Sequence, residues 1–318
     1  MTEFDRAPGP TAPPSSSPGE EPHPSTLSDY VSLTKPGITG LIVAVAVGGY
    51  FLSAPSPIRL APLLILVLLG ASASAGAATL NHYFDRDVDT LMRRTRLRPL
   101  PDRRIDPGSR ALYGGLLLSA IGVGGAAVLL NPLTAFSILL GGVTYVGVYT
   151  LWLKRRSSWN IVIGGFAGSA PALAGSAAAV GHFTPAALAL ALVLLLWTPP
   201  HFWSLALLLR KDYQAAGLPM LPDMNDPAYS GRVIVFSAAL LLPATALLWW
   251  LGGVPVWAGA ALLLLGVLFV ALTAPLLVNV EPSRARRGFI FSGVYLLSFL
   301  VILIVAGVLL HPGFVIGS

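Results

Sequence analysis

The chain has no cysteine and little charge. Only 11% of its 318 residues are charged, whereas a soluble domain usually carries about 25% charged residues. The missing cysteine excludes disulfides, thiolate metal sites, iron–sulfur clusters and cysteine nucleophiles. With 55% hydrophobic residues, the composition is that of a membrane protein.

The amino-terminal segment lacks the basic start and apolar core of a signal peptide, and the arginine-rich character of a mitochondrial presequence. It is instead rich in proline, serine and acidic residues. This composition predicts a disordered cytoplasmic tail at residues 1–28, ahead of a membrane domain at residues 29–318. A bacterial source fits these features better than import into an organelle.

Nine apolar segments are each close to the roughly 20 residues that a helix needs to cross a bilayer. Runs of small residues within several segments favour close helix packing in lipid. The sequence predicts an all-α fold, a polytopic bundle of nine transmembrane helices with Asp-rich cytoplasmic connections. The segments lie at about 37–54, 60–80, 111–130, 133–153, 160–180, 184–209, 233–252, 255–278 and 288–310.

The distribution of basic residues predicts the orientation of the bundle. Of the 20 Lys and Arg residues, 17 lie in or beside the connections after the second, fourth, sixth and eighth segments. Cytoplasmic connections carry this excess, so the amino terminus is predicted inside and the carboxyl terminus outside. The same rule explains the net charge of +6 without a nucleic-acid partner, and none is expected.

The stretch from Asn81 to Thr90 follows the second segment and concentrates polar side chains. If the helix continues through it, Asn81, Asp85 and Asp89 lie on one face at i, i+4 and i+8. Their oxygens suit Mg²⁺, which is commonly shared with substrate phosphates. Asp87 points to another face. Solvation of a helix end is the alternative, but carboxylates stacked on one face repel each other unless a cation compensates them.

Basic residues follow this stretch and recur in the next cytoplasmic connection. Such groups can clamp a diphosphate, although the setting of membrane topology alone also explains them. They are Arg93, Arg94, Arg96, Arg98, Arg103 and Arg104, followed by Lys154, Arg155 and Arg156.

A second candidate site lies at residues 197–203, where two adjacent prolines interrupt the sixth segment. His201 follows them within the membrane, where a histidine is a functional candidate by default. Its neutral imidazole can ligate haem iron, and His82 is a rival ligand. Equally open is the alternative that His201 only forms a hydrogen bond with a neighbouring backbone carbonyl and has no role in binding haem. Beyond the segment, Asp212 adds a carboxylate at the cytoplasmic side. Arg210 and Lys211 beside it add phosphate contacts, although solvation of a helix end explains them equally well.

At these residues the sequence resembles the UbiA-type intramembrane prenyltransferases, and in particular their haem-modifying branch. The resemblance covers about residues 28–310 and includes the number of helices. It depends on residues 33–37, 81–89, 94–101, 154–156 and 160–165, and on Trp197 to Pro222, of which 198–203 and 215–222 are specific to that branch.

The resemblance implies transfer of farnesyl from farnesyl diphosphate to a vinyl group of haem b, in a bacterial inner membrane. It further implies a downstream haem-modifying or oxidase-assembly protein as a partner. Mg²⁺ would be the cofactor, with Asn81, Asp85, Asp89 and Asp212 as catalytic and metal-binding residues. The diphosphate would contact Lys35, Arg94, Arg96, Arg98, Lys154, Arg155 and Lys211, and haem would contact His201, Trp203 and His82.

The sequence departs from the family pattern at Lys211-Asp212, where many relatives have two adjacent acids. One bridging Mg²⁺, with Lys211 contacting phosphate directly, is therefore an alternative to two metal ions. An aromatic quinone precursor or a chlorophyll-type ring is the rival acceptor within the family. A transporter is the rival from another class, but apart from His201 no ionisable residue lies deep in a segment to form an ion path.

Overall fold

A computed structural model describes residues 25–221, 226–310 and 313–315. Within these ranges nine helices are long and apolar enough to cross a membrane, as predicted. The helices are α1 (Leu27–Leu33), α2 (Pro36–Ser53), α3 (Leu60–Asp89), α4 (Ser109–Leu129), α5 (Pro132–Val143), α6 (Asn160–Gly164), α7 (Phe166–Val180), α8 (Pro185–Leu208), α9 (Arg210–Ala215), α10 (Pro227–Gly252), α11 (Val256–Thr273) and α12 (Pro282–Leu310).

Four short elements complete the regular structure of the described ranges. A π-helix, Thr144–Leu153, continues α5, and a 3₁₀ helix, Ala274–Leu277, continues α11. The strands β1 (Ile58–Arg59) and β2 (Phe314–Val315) pair in parallel over two residues each. The all-α prediction is confirmed, and this pair only ties the connection before α3 to the end of the chain.

Several helices extend beyond their apolar segments at the predicted cytoplasmic side. α3 continues through Asp89, although its apolar segment ends near residue 80. α10 begins at Pro227, where the Asp226 side chain accepts a hydrogen bond from the backbone N–H of Tyr229 at 2.9 Å and caps the helix. Polar helix ends of this kind project functional side chains beyond the hydrocarbon region.

Close approach of α2 and α7 fixes the centre of the bundle. A Cβ atom at Gly49 would lie 2.2 Å from the carbonyl oxygen of Ala172, and one at Gly175 would lie 2.0 Å from that of Ala46. Only glycine permits such contact between helix backbones. The main apolar cluster lies among α7, α8, α10, α11 and α12, and the polar site forms at the ends of α2, α3 and α8.

The amino-terminal tail lies largely outside the described residues. α1 begins at Leu27 behind a capping box in which Thr26 and Asp29 bond reciprocally. The helix therefore includes the last two residues of the segment predicted as disordered. Asp29 is buried and forms an ion pair with Arg104, which fastens α1 to the arginine-rich connection.

Candidate active site

The end of α3 carries its three predicted ligands on one buried face. Asn81, Asp85 and Asp89 are 4%, 1% and 2% exposed. They share a face because α3 continues as a helix through Asp89. Asp87 turns outward, where its carboxylate accepts two hydrogen bonds from the Arg155 guanidinium, each 2.7 Å long. The predicted face and the different direction of Asp87 are confirmed.

Cations from two other parts of the chain neutralise the buried carboxylates. Lys154 Nζ donates to Asp85 Oδ2 at 2.6 Å, and Arg98 Nη1 donates to Asp89 Oδ2 at 2.7 Å. A buried charge without a partner is strongly destabilising. These two basic residues therefore stabilise the buried carboxylates of the site, in addition to any effect on membrane topology.

Lys35 joins the same face from the start of α2. Its Nζ donates to Asn81 Oδ1 at 2.6 Å and to the Tyr145 hydroxyl at 3.0 Å. Its backbone is left-handed, with φ 46° and ψ 65°, a strained conformation for a residue other than glycine, placed directly before Pro36. Burial lowers the pKa of Lys35 to about 7, and repulsion by Arg98 acts in the same direction.

A π-helix, Thr144–Leu153, contributes aromatic side chains that the sequence reasoning missed. Tyr145 and Tyr149 line the cavity beside the carboxylates, with nearly parallel rings whose centroids are 6.1 Å apart. Thr150 accepts a hydrogen bond from Asn81 Nδ2 at 3.0 Å. The i, i+4 spacing of the two tyrosines is the sequence signal that could have found them, while the π-helical turn is common at functional sites.

The buried face opens into a cavity of ≈ 590 Å³. Its wall also includes Tyr213, whereas the neighbouring Asp212 is partly exposed and is not one of the lining residues. Five basic residues line it against three carboxylates, those of Asp29, Asp85 and Asp89, so the cavity suits an anion. Of the predicted diphosphate contacts, Lys35, Arg94, Arg98 and Lys154 line the cavity, whereas Arg96, Arg155 and Lys211 do not.

The segment at residues 215–221 covers the end of α3. Leu218 is buried against Val88 and Met92. Asn160, at the start of α6, donates a hydrogen bond from Nδ2 to the Pro219 carbonyl at 3.0 Å. Two motifs far apart in the sequence thus meet beside the carboxylates, while Pro222, the last residue of the second motif, lies outside the described residues.

His201 lies in an aromatic setting between α8 and α12. The Ser292 hydroxyl donates to the Phe289 carbonyl at 2.6 Å, so it acts as the acceptor in its 2.5 Å contact with His201 Nδ1. Nδ1 of the neutral ring therefore carries the hydrogen, and Nε2 presents its lone pair. The ring stacks on Trp197 with centroids 4.4 Å apart and lies 4.9 Å from the Phe289 ring.

The other two predicted haem contacts lie apart from His201. Trp203 is 3% exposed and packs with Ile234 and Leu276, because residues two apart on a helix point about 200° away from each other. His82 is buried in the wall of the carboxylate cavity. The structure therefore brings His82 to the ionic site and leaves His201 and Trp203 on different sides of α8.

The nine membrane-crossing helices of the described ranges and the charged cavity at their ends define a multi-pass membrane protein with a site for an anionic substrate. The chain matches the UbiA prenyltransferase family over residues 41–300 and belongs to that family.

Its relatives include two proteins named protoheme IX farnesyltransferase. The one from Metallosphaera sedula is 41% identical over 277 residues, which are 86% of this chain and 94% of the relative. The one from Teredinibacter turnerae is 40% identical over 282 residues, 87% of this chain and 89% of the relative. The family assignment made from the motifs is thus confirmed over nearly the whole chain.

Solved structures share the fold at low sequence identity. A digeranylgeranylglyceryl phosphate synthase superposes with a TM-score of 0.74 at 19% identity, covering 89% of this chain and 98% of the synthase. A UbiA homologue from Aeropyrum pernix gives a TM-score of 0.69 at 19% identity, covering 86% and 98%. One from Archaeoglobus fulgidus bound to DMAPP and Mg²⁺ gives 0.63 at 17% identity, covering 86% and 99%.

Proposed function

We propose that the protein transfers the farnesyl group of farnesyl diphosphate to a vinyl group of haem b, giving haem O and diphosphate. The observation that carries this proposal is 40–41% identity, over more than four-fifths of the chain, to relatives named protoheme IX farnesyltransferase. The cations that line the cavity support a diphosphate as one substrate. The apolar helices around the cavity suit a long prenyl chain.

The reaction breaks the bond between farnesyl C1 and a diphosphate oxygen and forms a bond between C1 and one vinyl carbon. The oxygen of a water molecule bonds to the other vinyl carbon and releases a proton. Negative charge grows on the departing diphosphate, so groups that stabilise this charge lower the barrier. Lys35, Arg94, Arg98 and Lys154 would bind the diphosphate, with Arg96, Arg155 and Lys211 at its margin.

The α3 residues of the cavity fit Mg²⁺, with Asn81, Asp85 and Asp89 as proposed ligands and Asp212, outside the lining, as a proposed fourth. Asp85 Oδ1 is buried and has no hydrogen-bond partner among the described residues, as expected of an oxygen that receives a cation. Within the same ranges no three His, Asp or Glu side chains lie close enough to hold a metal by themselves. Diphosphate oxygens would therefore complete the ligand set, and bound Mg²⁺ would neutralise charge on the leaving group.

His201 is the favoured contact for haem because Nε2 presents a lone pair in a flat aromatic setting. Of the other two haem contacts predicted from the sequence, Trp203 lies on another side of α8 and His82 lies in the wall of the ionic cavity. Phe202 and Leu205, on the turn of α8 beside His201, line the carboxylate cavity. A haem held at His201 would therefore lie close to the diphosphate end of the site.

The proposed site lies at the cytoplasmic face of a bacterial inner membrane, with the amino terminus inside and the carboxyl terminus outside. The concentration of 17 of the 20 Lys and Arg residues in alternate connections supports this orientation. The tail at residues 1–28 would be cytoplasmic and the domain at residues 29–318 would carry the activity. A haem-modifying or oxidase-assembly protein would receive the product.

The direct test incubates purified protein with haem b, farnesyl diphosphate and Mg²⁺, and analyses extracted haem by mass spectrometry. We expect haem enlarged by one farnesyl group and one hydroxyl group. Transfer to a quinone precursor with no change in haem would contradict the proposed acceptor and leave the family assignment intact.

Orientation can be tested by introducing single cysteines, since the chain has none. Cysteines at positions 102 and 224 should react with an impermeant maleimide only after lysis, and one at position 182 in intact, outer-membrane-permeabilised cells. Labelling of position 102 in intact cells would invert the topology and move the site to the other face.

A further inference from the structure

His82 shares the helical face of the proposed metal ligands. His82, Asp85 and Asp89 fall at i, i+3 and i+7 of α3, which places them on one side of the helix. All three line the same cavity, and His82 is only 4% exposed. The imidazole is therefore part of the ionic wall.

Both ring nitrogens of His82 are buried without a hydrogen-bond partner among the described residues. A neutral imidazole carries one N–H donor and one acceptor nitrogen whichever tautomer it adopts. Leaving both unmet in a protein interior is unfavourable, and such groups call for an explanation. A ligand that enters the cavity would supply the missing partner.

The charges of the cavity indicate what kind of ligand this is. Lys35, Arg98 and Lys154 lie in the wall with His82, and their local partners are one amide, one tyrosine hydroxyl and two carboxylates. This surplus of positive charge and N–H donors favours an anion with several acceptor oxygens. By contrast His201, which stacks on Trp197, has the flat apolar surroundings that suit a porphyrin.

We propose that His82 donates an N–H hydrogen bond to the diphosphate of the prenyl donor. It thus belongs to the donor half of the site, and His201 to the acceptor half. This assignment rests on the proposed function, in which a prenyl diphosphate occupies the cavity. Bound diphosphate accepts a hydrogen bond from a buried N–H that otherwise has no partner. The interaction therefore raises the affinity for the prenyl diphosphate without adding to the stability of the ligand-free protein.

The test compares full-length wild type, His82→Leu and His82→Asn in detergent micelles. Inorganic diphosphate with saturating Mg²⁺ is titrated calorimetrically, and haem b is titrated separately by its Soret band. We expect His82→Leu to bind diphosphate about 10-fold or more weakly, as for loss of a hydrogen bond to a charged group. The amide of His82→Asn should restore part of this affinity, and neither variant should change the Soret band or haem affinity.

Thermal unfolding supplies the second measurement. Because the imidazole is unpartnered in the empty cavity, His82→Leu should unfold at or above the wild-type temperature without ligand, yet gain less stabilisation from diphosphate. Unchanged diphosphate affinity in His82→Leu would overturn the assignment, and so would a shifted Soret band with unchanged diphosphate binding. If wild type binds diphosphate but does not modify haem, the proposed acceptor fails while the role of His82 is still decided by the titration.

Discussion

The polar end of α3 and the histidine segment of α8 were both predicted as sites, but they are built differently. On α3, three oxygen-bearing side chains share one buried face and receive cations from α2, the arginine-rich connection and the segment after the π-helix. On α8, His201 turns towards α12 and is held by a single serine. The first site is ionic and drawn from many elements, while the second is aromatic and local.

This contrast separates the two halves of the proposed reaction. An ionic wall suits the diphosphate leaving group, whose charge grows during the reaction. Aromatic surroundings with one available nitrogen suit a flat metalloporphyrin. Phe202 and Leu205 of α8 line the ionic cavity, so the two halves meet along one helix. Substitutions in each half should therefore have separable effects on the two substrates.

The largest effect is expected on the carboxylate face. Asp85→Ala or Asp89→Ala should lower turnover about 100-fold or more, because each removes a proposed metal ligand at the developing charge. Asp87→Ala should be milder, since this side chain is exposed and paired with Arg155. Steady-state product formation by purified variants checks this, and an equal loss at Asp87 would argue against the shared face.

In the aromatic half, His201→Ala should weaken haem binding about 10-fold or more, with farnesyl diphosphate binding retained. Ser292→Ala should act in the same direction, because partners that orient a metal-binding histidine typically contribute about 10-fold or more. Soret titration and the iron–histidine vibration are the measurements. His82→Ala is the matched control, and a larger haem effect there would reverse the division between the halves.

The next largest effect is expected for Lys154, the cation that pairs with Asp85. Lys154→Met should destabilise the protein by about 3 kcal/mol, since it leaves a buried carboxylate unpaired. Mg²⁺ should then raise the unfolding temperature of this variant more than that of wild type. Arg155→Met, whose pair with Asp87 is exposed, should change stability far less. If Mg²⁺ does not change the unfolding temperature of Lys154→Met, that result would count against Asp85 as a metal ligand.

A pH effect should distinguish Lys35 from the arginines. Because its folded pKa is lowered from 10.5 to about 7, the unfolded chain binds the extra proton between these values. Stability should therefore rise with pH from about 7 to 10.5, while the charge available to diphosphate is lost as pH rises through 7. The groups that act on Lys35 are Arg98, Arg94, Asp85, Asp89 and the Tyr145 hydroxyl.

Lys35→Arg keeps the charge at all these pH values, so it is the control. Diphosphate affinity should fall more steeply above pH 7 in wild type than in Lys35→Arg, as measured by calorimetry at several pH values. Parallel curves would show that Lys35 stays charged in the cavity.

The smallest effect is expected outside both halves. Deletion of residues 2–26 should leave turnover nearly unchanged, because this segment has few apolar residues with which to build a core. Α large loss of turnover with normal unfolding temperature would place part of the tail in the site.

The sequence alone determined the features that depend on local periodicity. Apolar length predicted nine spans because a helix must satisfy its own backbone in lipid, and the spacing of Asn81, Asp85 and Asp89 predicted one face because the helical repeat is fixed. The outward direction of Asp87 followed from the same repeat. The motifs at residues 81–89 and 198–203 indicated the family.

Tertiary structure decided which distant residues meet. The pairing of Lys154 with Asp85 and the approach of Lys35 to Asn81 depend on how helices cross, which no local pattern encodes. The same holds for Ser292, 91 positions from His201, which sets the tautomer of that histidine. Helix packing selects these contacts through backbone approach and side-chain shape, so they appear only once the whole bundle is assembled.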